Sequence, residues 1–228
     1  MNSKYTNLLF DLDGTLFDFD AGETYAFHKV CDYFHISFSS EVLALYQSIN
    51  LSYWKAYERG EITTTALSVA RFRDFSAAVG ADGDPALMSK LYQDHLGEDC
   101  TPIKDALYTC RILRERGYTL SIITNGRSNT QHSRLSKSEL IFMISNLFIS
   151  EEIGFQKPKP EYFDYVFSKL GINPSQALVI GDSLTSDISG GIQYGIDTCW
   201  FNPKKTTNTL PQSPTYEITN LSELLSTL

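Results

Sequence analysis

Two aspartates, Asp11 and Asp13, stand two residues apart where a short apolar run, Tyr5 to Phe10, ends. The order Asp-Leu-Asp-Gly-Thr, Asp11 to Thr15, places two carboxylates directly after this run. Neighbouring carboxylates repel each other unless a cation or a proton neutralises them. Such a pair therefore suits metal binding, proton transfer or nucleophilic attack. Taken alone, the pattern fits a simple turn at the end of a strand about equally well.

Two further apolar runs also end in polar residues. Tyr118 to Ile123 is followed by Thr124-Asn125-Gly126, and Ala177 to Ile180 is followed by Gly181-Asp182-Ser183. In an open parallel sheet, ligands bind beyond the carboxyl ends of the strands, near a topological switch point. We therefore expect the three polar segments to line one crevice. A site that offers oxygen ligands and no Cys/His cluster favours Mg²⁺.

The elements that must position these side chains follow from the same runs. Each run is typical of a buried parallel strand, and each precedes a stretch that can form a helix, which predicts an α/β fold with a Rossmann-like parallel sheet. From about Phe17 to Glu98, aromatic and apolar residues recur at helical spacing without a strand signal. We predict that residues 17–98 form an all-helical unit, inserted into an α/β core of residues 1–16 and 99–228.

Weaker patterns complete the predicted core. We expect a helix from Pro102 to Gly117, strands at Ile196–Phe201 and Tyr216–Ile218, and a closing helix over residues 221–228.

Charge and composition narrow the class of protein. The 19 Lys and Arg residues and 27 Asp and Glu residues give a formal net charge of 19 − 27 = −8. An acidic surface repels a phosphate backbone, which argues against a nucleic acid polymer as partner, whereas a small anionic substrate needs only a local metal ion or lysine. The four cysteines are far apart, which argues against a disulfide framework or a zinc site. There is no apolar run of about 18 residues and no secretion signal, so we expect a cytoplasmic protein without a membrane partner.

Four motifs in chain order resemble those of the haloacid dehalogenase-like superfamily of phosphatases. They are Asp11-Leu-Asp13-Gly-Thr15, Thr124-Asn125-Gly126, Lys157-Pro158 before a helix, and Gly181-Asp182-Ser183-Leu-Thr-Ser-Asp187. Each could be an ordinary turn or loop by itself, but all four in this order are typical of the superfamily. The resemblance implies a Mg²⁺-dependent phosphatase whose inserted helical unit is a cap that closes over the site and selects the substrate.

The resemblance also implies a role for each motif residue. Asp11 would be the nucleophile that forms an aspartyl-phosphate, and Asp13 would protonate the leaving oxygen and later activate water. The metal ligands would be Asp11, the backbone carbonyl of Asp13, and Asp182. The phosphoryl group would be bound by Thr124, Asn125, Gly126 and Lys157, the Asn125 and Gly126 contacts coming from backbone N–H groups. Asp187 would lie behind the metal ligands or hold Lys157.

Within the superfamily, further segments resemble the noncanonical pyrimidine nucleotidases, which are 5′-nucleotidases. These segments are Leu16–Asp20, Cys100–Pro102, Ile149–Gly154 and Asp187–Ile192, with Thr198-Cys199-Trp200. The alternatives are a sugar-phosphate or phosphoglycolate-type phosphatase or phosphomutase, a dehalogenase, and a non-catalytic domain on the same scaffold. A dehalogenase has no evident use for Asp13 and Asp182, and a non-catalytic domain would be free to lose Asp11 or Asp13.

Overall fold

The computed structural model describes residues 4–228 and divides the chain into two compact units. One unit comprises the segment that ends at Phe19 together with Cys100–Leu228, and the other is Asp20–Asp99. The sequence-based boundaries, 17 and 98, differ from these by three residues and one residue respectively.

The first unit is built on a six-stranded sheet in which every neighbouring pair of strands is parallel. In space the strands follow the order β3-β2-β1-β4-β5-β6. Their bounds are β1 Asn7–Phe10, β2 Thr119–Thr124, β3 Ile144–Ile149, β4 Ala177–Gly181, β5 Asp197–Phe201 and β6 Tyr216–Ile218. The predicted α/β fold with a parallel sheet is therefore confirmed.

The chain has ten α-helices among the described residues, four of which lie in the second unit. The bounds are α1 Phe19–Tyr33, α2 Ser40–Glu58, α3 Thr64–Val79, α4 Pro85–Leu96, α5 Ala106–Glu115, α6 Ser128–Ser136, α7 Ser150–Ile153, α8 Pro160–Leu170, α9 Ser189–Tyr194 and α10 Leu224–Thr227.

Helices cover both faces of the sheet because side chains of a strand alternate between the faces. Leu8 and Phe10 of β1 belong to a core cluster that also contains residues of α5, α6 and α10. Leu9 points the other way, into a cluster dominated by aromatic and branched side chains of α8, such as Phe163 and Val166. The strand is thus buried along its whole length.

The structure adds one strand and corrects the bounds of two predicted helices. Strand β3 was not predicted, because Ser145 and Asn146 interrupt its apolar run and the strand lies at the edge of the sheet, where its first four residues are not fully buried. The predicted helix from Pro102 to Gly117 is shorter, Ala106–Glu115. The predicted closing helix begins with one turn of 3₁₀-helix, Leu221–Glu223, before α10.

The second unit is a bundle of the four helices α1 to α4. Side chains of Ser39, Thr63 and Asp84 cap the N-termini of α2, α3 and α4 by accepting backbone hydrogen bonds. Its core is aromatic: the ring of Tyr46 stacks on Phe27 at a centroid distance of 4.2 Å and on Phe72 at 5.3 Å. All three rings are fully buried, so they form the core of the bundle. No helix in the described part of the chain is both long and apolar enough to cross a membrane.

Candidate active site

The carboxyl ends of β1, β2 and β4 meet at one edge of the sheet. Phe10, the last residue of β1, is in register with Ile122 of β2 and Ile180 of β4. The backbone N–H of the next residue, Asp11, donates to the carbonyl of Ile180 over 2.8 Å. Strands β2 and β3 follow on one side of β1, and β4 to β6 follow on the other. The expected crevice therefore lies at a topological switch point.

A buried lysine joins two of the predicted carboxylates. The Nζ of Lys157 donates to Asp11 Oδ1 over 2.6 Å, to Asp187 Oδ1 over 2.6 Å, and to the carbonyl oxygen of Ile123 over 2.7 Å. Its side chain is 1 % exposed. Burial alone lowers the pKa of Lys157, but the two carboxylates raise it overall, so the ammonium remains charged. All three of its N–H donors are thus engaged.

Three carboxylates converge beside this lysine. One oxygen each of Asp11, Asp182 and Asp187 lies within 4.8 Å of the others. Burial, and then the neighbouring carboxylates, raise the pKa of Asp11 well above its ordinary value, although Lys157 opposes this shift. Burial and then Asp187 raise the pKa of Asp182 to about 7. The single charge of Lys157 therefore leaves the cluster short of positive charge, and oxygen donors of this kind fit Mg²⁺.

The segment after β4 holds Asp182 and Asp187 in place. Thr15 Oγ1 donates to Asp182 Oδ1 over 3.2 Å and accepts from the backbone N–H of Asp182 over 3.1 Å. Residues Leu184–Ile188 form one turn of π-helix, a conformation often found at functional sites. This turn brings Asp187 back towards β4, so that its Oδ2 accepts from the backbone N–H of Ser183 over 3.1 Å.

The loop after β2 places Thr124 and fastens Lys157. Thr124 Oγ1 accepts one hydrogen bond from the backbone N–H of Gly126 over 3.1 Å and another from Gln131 Nε2 over 2.8 Å. Since both lone pairs are used, its hydroxyl hydrogen is left to donate. The side chain of Asn125 pairs with the backbone of Lys157, with both contacts at 2.9 Å. The predicted phosphate contacts of the Asn125 and Gly126 N–H groups remain predictions.

The environment of Asp13 was not anticipated from the sequence. Its carboxylate is bound by two residues of α6, Gln131 and Arg134, which belong to no predicted motif. A helical signal was present, since the buried residues of α6 are Thr130, Gln131, Arg134 and Leu135 and form one face. Three of the four are polar, so a search for apolar residues at helical spacing passes over this face.

The chain is similar to a known protein family and to known proteins over most of its length. A family model described as haloacid dehalogenase-like hydrolase matches residues 8–201. The HAD-hydrolase YfnB of Bacillus subtilis is 39 % identical over 222 residues, which cover 97 % of this chain and 94 % of YfnB. The pyrimidine 5′-nucleotidase PynA of Streptococcus pneumoniae is 34 % identical, with 98 % and 95 % of the two chains covered. The pyrimidine 5′-nucleotidase YjjG of Escherichia coli is also 34 % identical, with 97 % and 96 % covered.

The fold has a close counterpart among solved structures. The structure of YfnB from Bacillus subtilis bound to magnesium superposes with a TM-score of 0.92 at 38 % identity, and the match covers 99 % of each chain. The resemblance predicted from the four motifs, and from the segments typical of pyrimidine nucleotidases, is confirmed.

Proposed function

This chain belongs to the haloacid dehalogenase-like hydrolase family, and on that premise we propose that it is a Mg²⁺-dependent phosphatase with Asp11 as its nucleophile. The substrates are phosphate monoesters, specifically pyrimidine nucleoside monophosphates, and the reaction passes through an aspartyl-phosphate. The observation that carries the proposal is the contact between Lys157 Nζ and Asp11 Oδ1, 2.6 Å long and almost fully buried.

This contact suits a nucleophile. Lys157 opposes the effect of burial on the pKa of Asp11 and so favours the carboxylate, which is the form that attacks. It also fixes Oδ1, which leaves Oδ2 as the oxygen that approaches phosphorus. Because Lys157 is held by Asp187 as well, it cannot turn away from the site without breaking a second buried ion pair.

A metal ion would occupy the gap among the carboxylates. Asp11, Asp182 and the backbone carbonyl of Asp13 would hold Mg²⁺, and Asp187 would keep its contact with Lys157. When bound, the ion neutralises the negative charges of the nucleophile and of the phosphate, which otherwise repel each other.

The residues of the chain then divide the reaction into two displacements. Asp11 attacks phosphorus while the ester bond to the 5′-oxygen breaks, and Asp13 gives that oxygen a proton so that the nucleoside leaves neutral. Asp13, now a carboxylate, takes a proton from the water that attacks the aspartyl-phosphate, which frees inorganic phosphate and regenerates Asp11. The Thr124 hydroxyl donates to the phosphoryl oxygens throughout, and Lys157 adds positive charge.

The substrate class rests on relatives and charge. PynA and YjjG, both pyrimidine 5′-nucleotidases, match nearly the whole chain, including the helical unit Asp20–Asp99. We propose that this unit acts as a cap that selects the substrate. With a net charge of −8, a small phosphate ester held by a local cation is a better partner than a nucleic acid polymer.

A substrate panel and one substitution test the proposal. Phosphate release is measured with Mg²⁺ or with EDTA on UMP, dUMP, dTMP, AMP, phosphoglycolate and sugar phosphates. We expect release only with Mg²⁺ and a kcat/KM that is highest for the pyrimidine nucleotides. Asp11→Asn should abolish phosphate release. Asp164→Asn, which replaces an exposed carboxylate of α8, should leave phosphate release unchanged. Equal kcat/KM for nucleotides and sugar phosphates would refute the nucleotidase assignment, and activity that survives Asp11→Asn would refute the aspartyl-phosphate.

A further inference from the structure

Both carboxylate oxygens of Asp13 are bound by side chains of α6. Gln131 Nε2 donates to Oδ2 over 2.6 Å, and Arg134 Nη1 forms a short ion pair with Oδ1. The two donors are three residues apart and therefore lie on the same face of the helix. The Arg134 side chain is fully buried, whereas that of Asp13 is 25 % exposed. One edge of Asp13 is thus fixed by the protein while another faces solvent.

Arg134 is itself held in one orientation. Its guanidinium lies over the ring of Phe17, 4.8 Å from the ring centroid. Phe17 is fully buried and forms a β-bridge with Asp13, so the segment that carries Asp13 also supplies the surface on which Arg134 rests. An arginine that is confined in this way loses little further freedom when it binds a carboxylate.

Gln131 links Asp13 to the predicted phosphate-binding loop. Its Nε2 donates to Thr124 Oγ1 over 2.8 Å as well as to Asp13. This approach requires a glycine nearby, because a Cβ at Gly126 would lie 2.2 Å from Gln131 Nε2. The position of Asp13 is therefore coupled to that of Thr124.

We propose that Arg134 and Gln131 are positioning residues that hold Asp13 for proton transfer. Asp13 does not belong to the group of converging carboxylates Asp11, Asp182 and Asp187. Arg134 and Gln131 hold the Asp13 carboxylate outside that group and so prevent a cation bound there from attracting it. The exposed edge of Asp13 then remains free to approach the leaving oxygen. This inference rests on the proposed phosphatase function, and it assigns a role to two residues that lie outside the four motifs.

Leaving groups of different acidity distinguish positioning from a purely structural role. The 5′-alkoxide of dUMP needs a proton to depart, whereas the phenolate of p-nitrophenyl phosphate departs without one. In Arg134→Met we expect single-turnover cleavage of dUMP to fall by about 10²–10³, the scale of a lost general acid. Cleavage of p-nitrophenyl phosphate should fall less than about tenfold, on the scale of one lost hydrogen bond. Because Asp13 also activates water, this variant should show a burst of nitrophenolate stoichiometric with enzyme, followed by slow turnover.

Matched variants complete the test. Arg134→Lys should recover part of the lost dUMP cleavage, and Arg111→Met, which removes an exposed arginine paired with Glu139, should behave as wild type. In the Asp13→Asn background, Arg134→Met should cause no further loss, because two residues that act through one group are not additive. Gln131→Met provides the same comparison if Arg134→Met does not fold.

The outcomes separate the inference from the proposed function. Equal losses on both substrates without a burst, or a full further loss in the Asp13→Asn background, would show that Arg134 does not act through Asp13. Failure of both Arg134→Met and Gln131→Met to fold would assign the pair to stability and reject the proposal. Failure of the proposed function looks different: the wild-type protein itself would release no phosphate from either ester.

Discussion

Asp187 Oδ1 and Lys157 Nζ form an ion pair of 2.6 Å in which each side chain is 1 % exposed. Asp187 is therefore the more deeply buried partner of the lysine, while Asp11, which also accepts from Nζ, is 10 % exposed. A buried ion pair contributes little net stability, but breaking it leaves an uncompensated charge. The pair thus serves to hold a positive charge beside Asp11 when no substrate is bound.

Replacing this lysine should harm both stability and catalysis. Lys157→Met leaves Asp11 and Asp187 without their counter-charge, and we expect the free energy of unfolding to fall by about 3–5 kcal/mol. Denaturation in urea measures this loss, and phosphate release should fall by about 10² or more. Lys169→Met, at an exposed lysine of α8, should change neither quantity. Wild-type stability in Lys157→Met would contradict the ion-pair geometry.

The carboxylate cluster should make the metal-free protein less stable as the pH rises. The pKa of Asp182 is about 7 in the folded chain, against an ordinary value of 3.8. Between these values the folded chain binds more protons than the unfolded chain, so this contribution is full below pH 3.8 and lost as the pH rises through 7.

Thermal unfolding with EDTA from pH 4.5 to 7.5 can isolate this contribution. As the pH rises, the Tm of Asp182→Asn should increase relative to the Tm of wild type, because asparagine does not ionise. A constant difference across this range would contradict the raised pKa. In wild type, Mg²⁺ should restore the lost stability, because it binds the ionised carboxylates.

A tryptophan next to the cluster should report metal binding directly. Trp200 Nε1 donates to the backbone carbonyl of Asp182 over 2.9 Å, and the other tryptophan, Trp54, lies in the helical unit. In Trp54→Phe we expect Mg²⁺ to change the Trp200 emission, with an affinity that increases as the pH rises through about 7 because protons compete for Asp182. Asp182→Asn should remove the response. An unchanged titration in that variant would place the metal elsewhere.

A methyl group at Gly126 should disable the site without unfolding the protein. In Gly126→Ala the new Cβ, 2.2 Å from Gln131 Nε2, must displace that side chain from Thr124 and Asp13. We expect phosphate release to fall by about 10². Gly171→Ala is the control, because its Cβ meets nothing within 4 Å while its φ of +64° strains alanine. It should cost about 1 kcal/mol of stability and leave the activity unchanged.

The sequence predicts best what lies at the ends of apolar strands. Asp11, Thr124 and Asp182 each follow a continuous buried run, and parallel strands bring their carboxyl ends to one edge whatever the intervening loops do. Lys157 does not directly follow a strand, and only its place in the order of the four motifs identifies it as a candidate site residue. Its three buried contacts depend on the folded arrangement, which spacing does not reveal.

Buried polar residues are the part of the site that the sequence predicts least well. Gln131 and Arg134 lie on a helix, α6, that contains a single large apolar residue, Leu135, and such a helix is expected to be solvated. The carboxylate of Asp13 makes their burial favourable, and that carboxylate is 121 residues away in the chain from Arg134. Only the completed sheet brings the two together.

The central place of β1 has a consequence during synthesis of the protein. This strand is synthesised well before its neighbours in the sheet, β2 and β4, which begin only at Thr119 and Ala177. The four-helix bundle lies between β1 and β2 in the chain. Its contacts are local in sequence, and local contacts form fastest. We expect the bundle to fold on the nascent chain while β1 is still without its neighbouring strands β2 and β4. The strand that directly precedes the nucleophile Asp11 would then stay unpaired until its neighbouring strands have been synthesised.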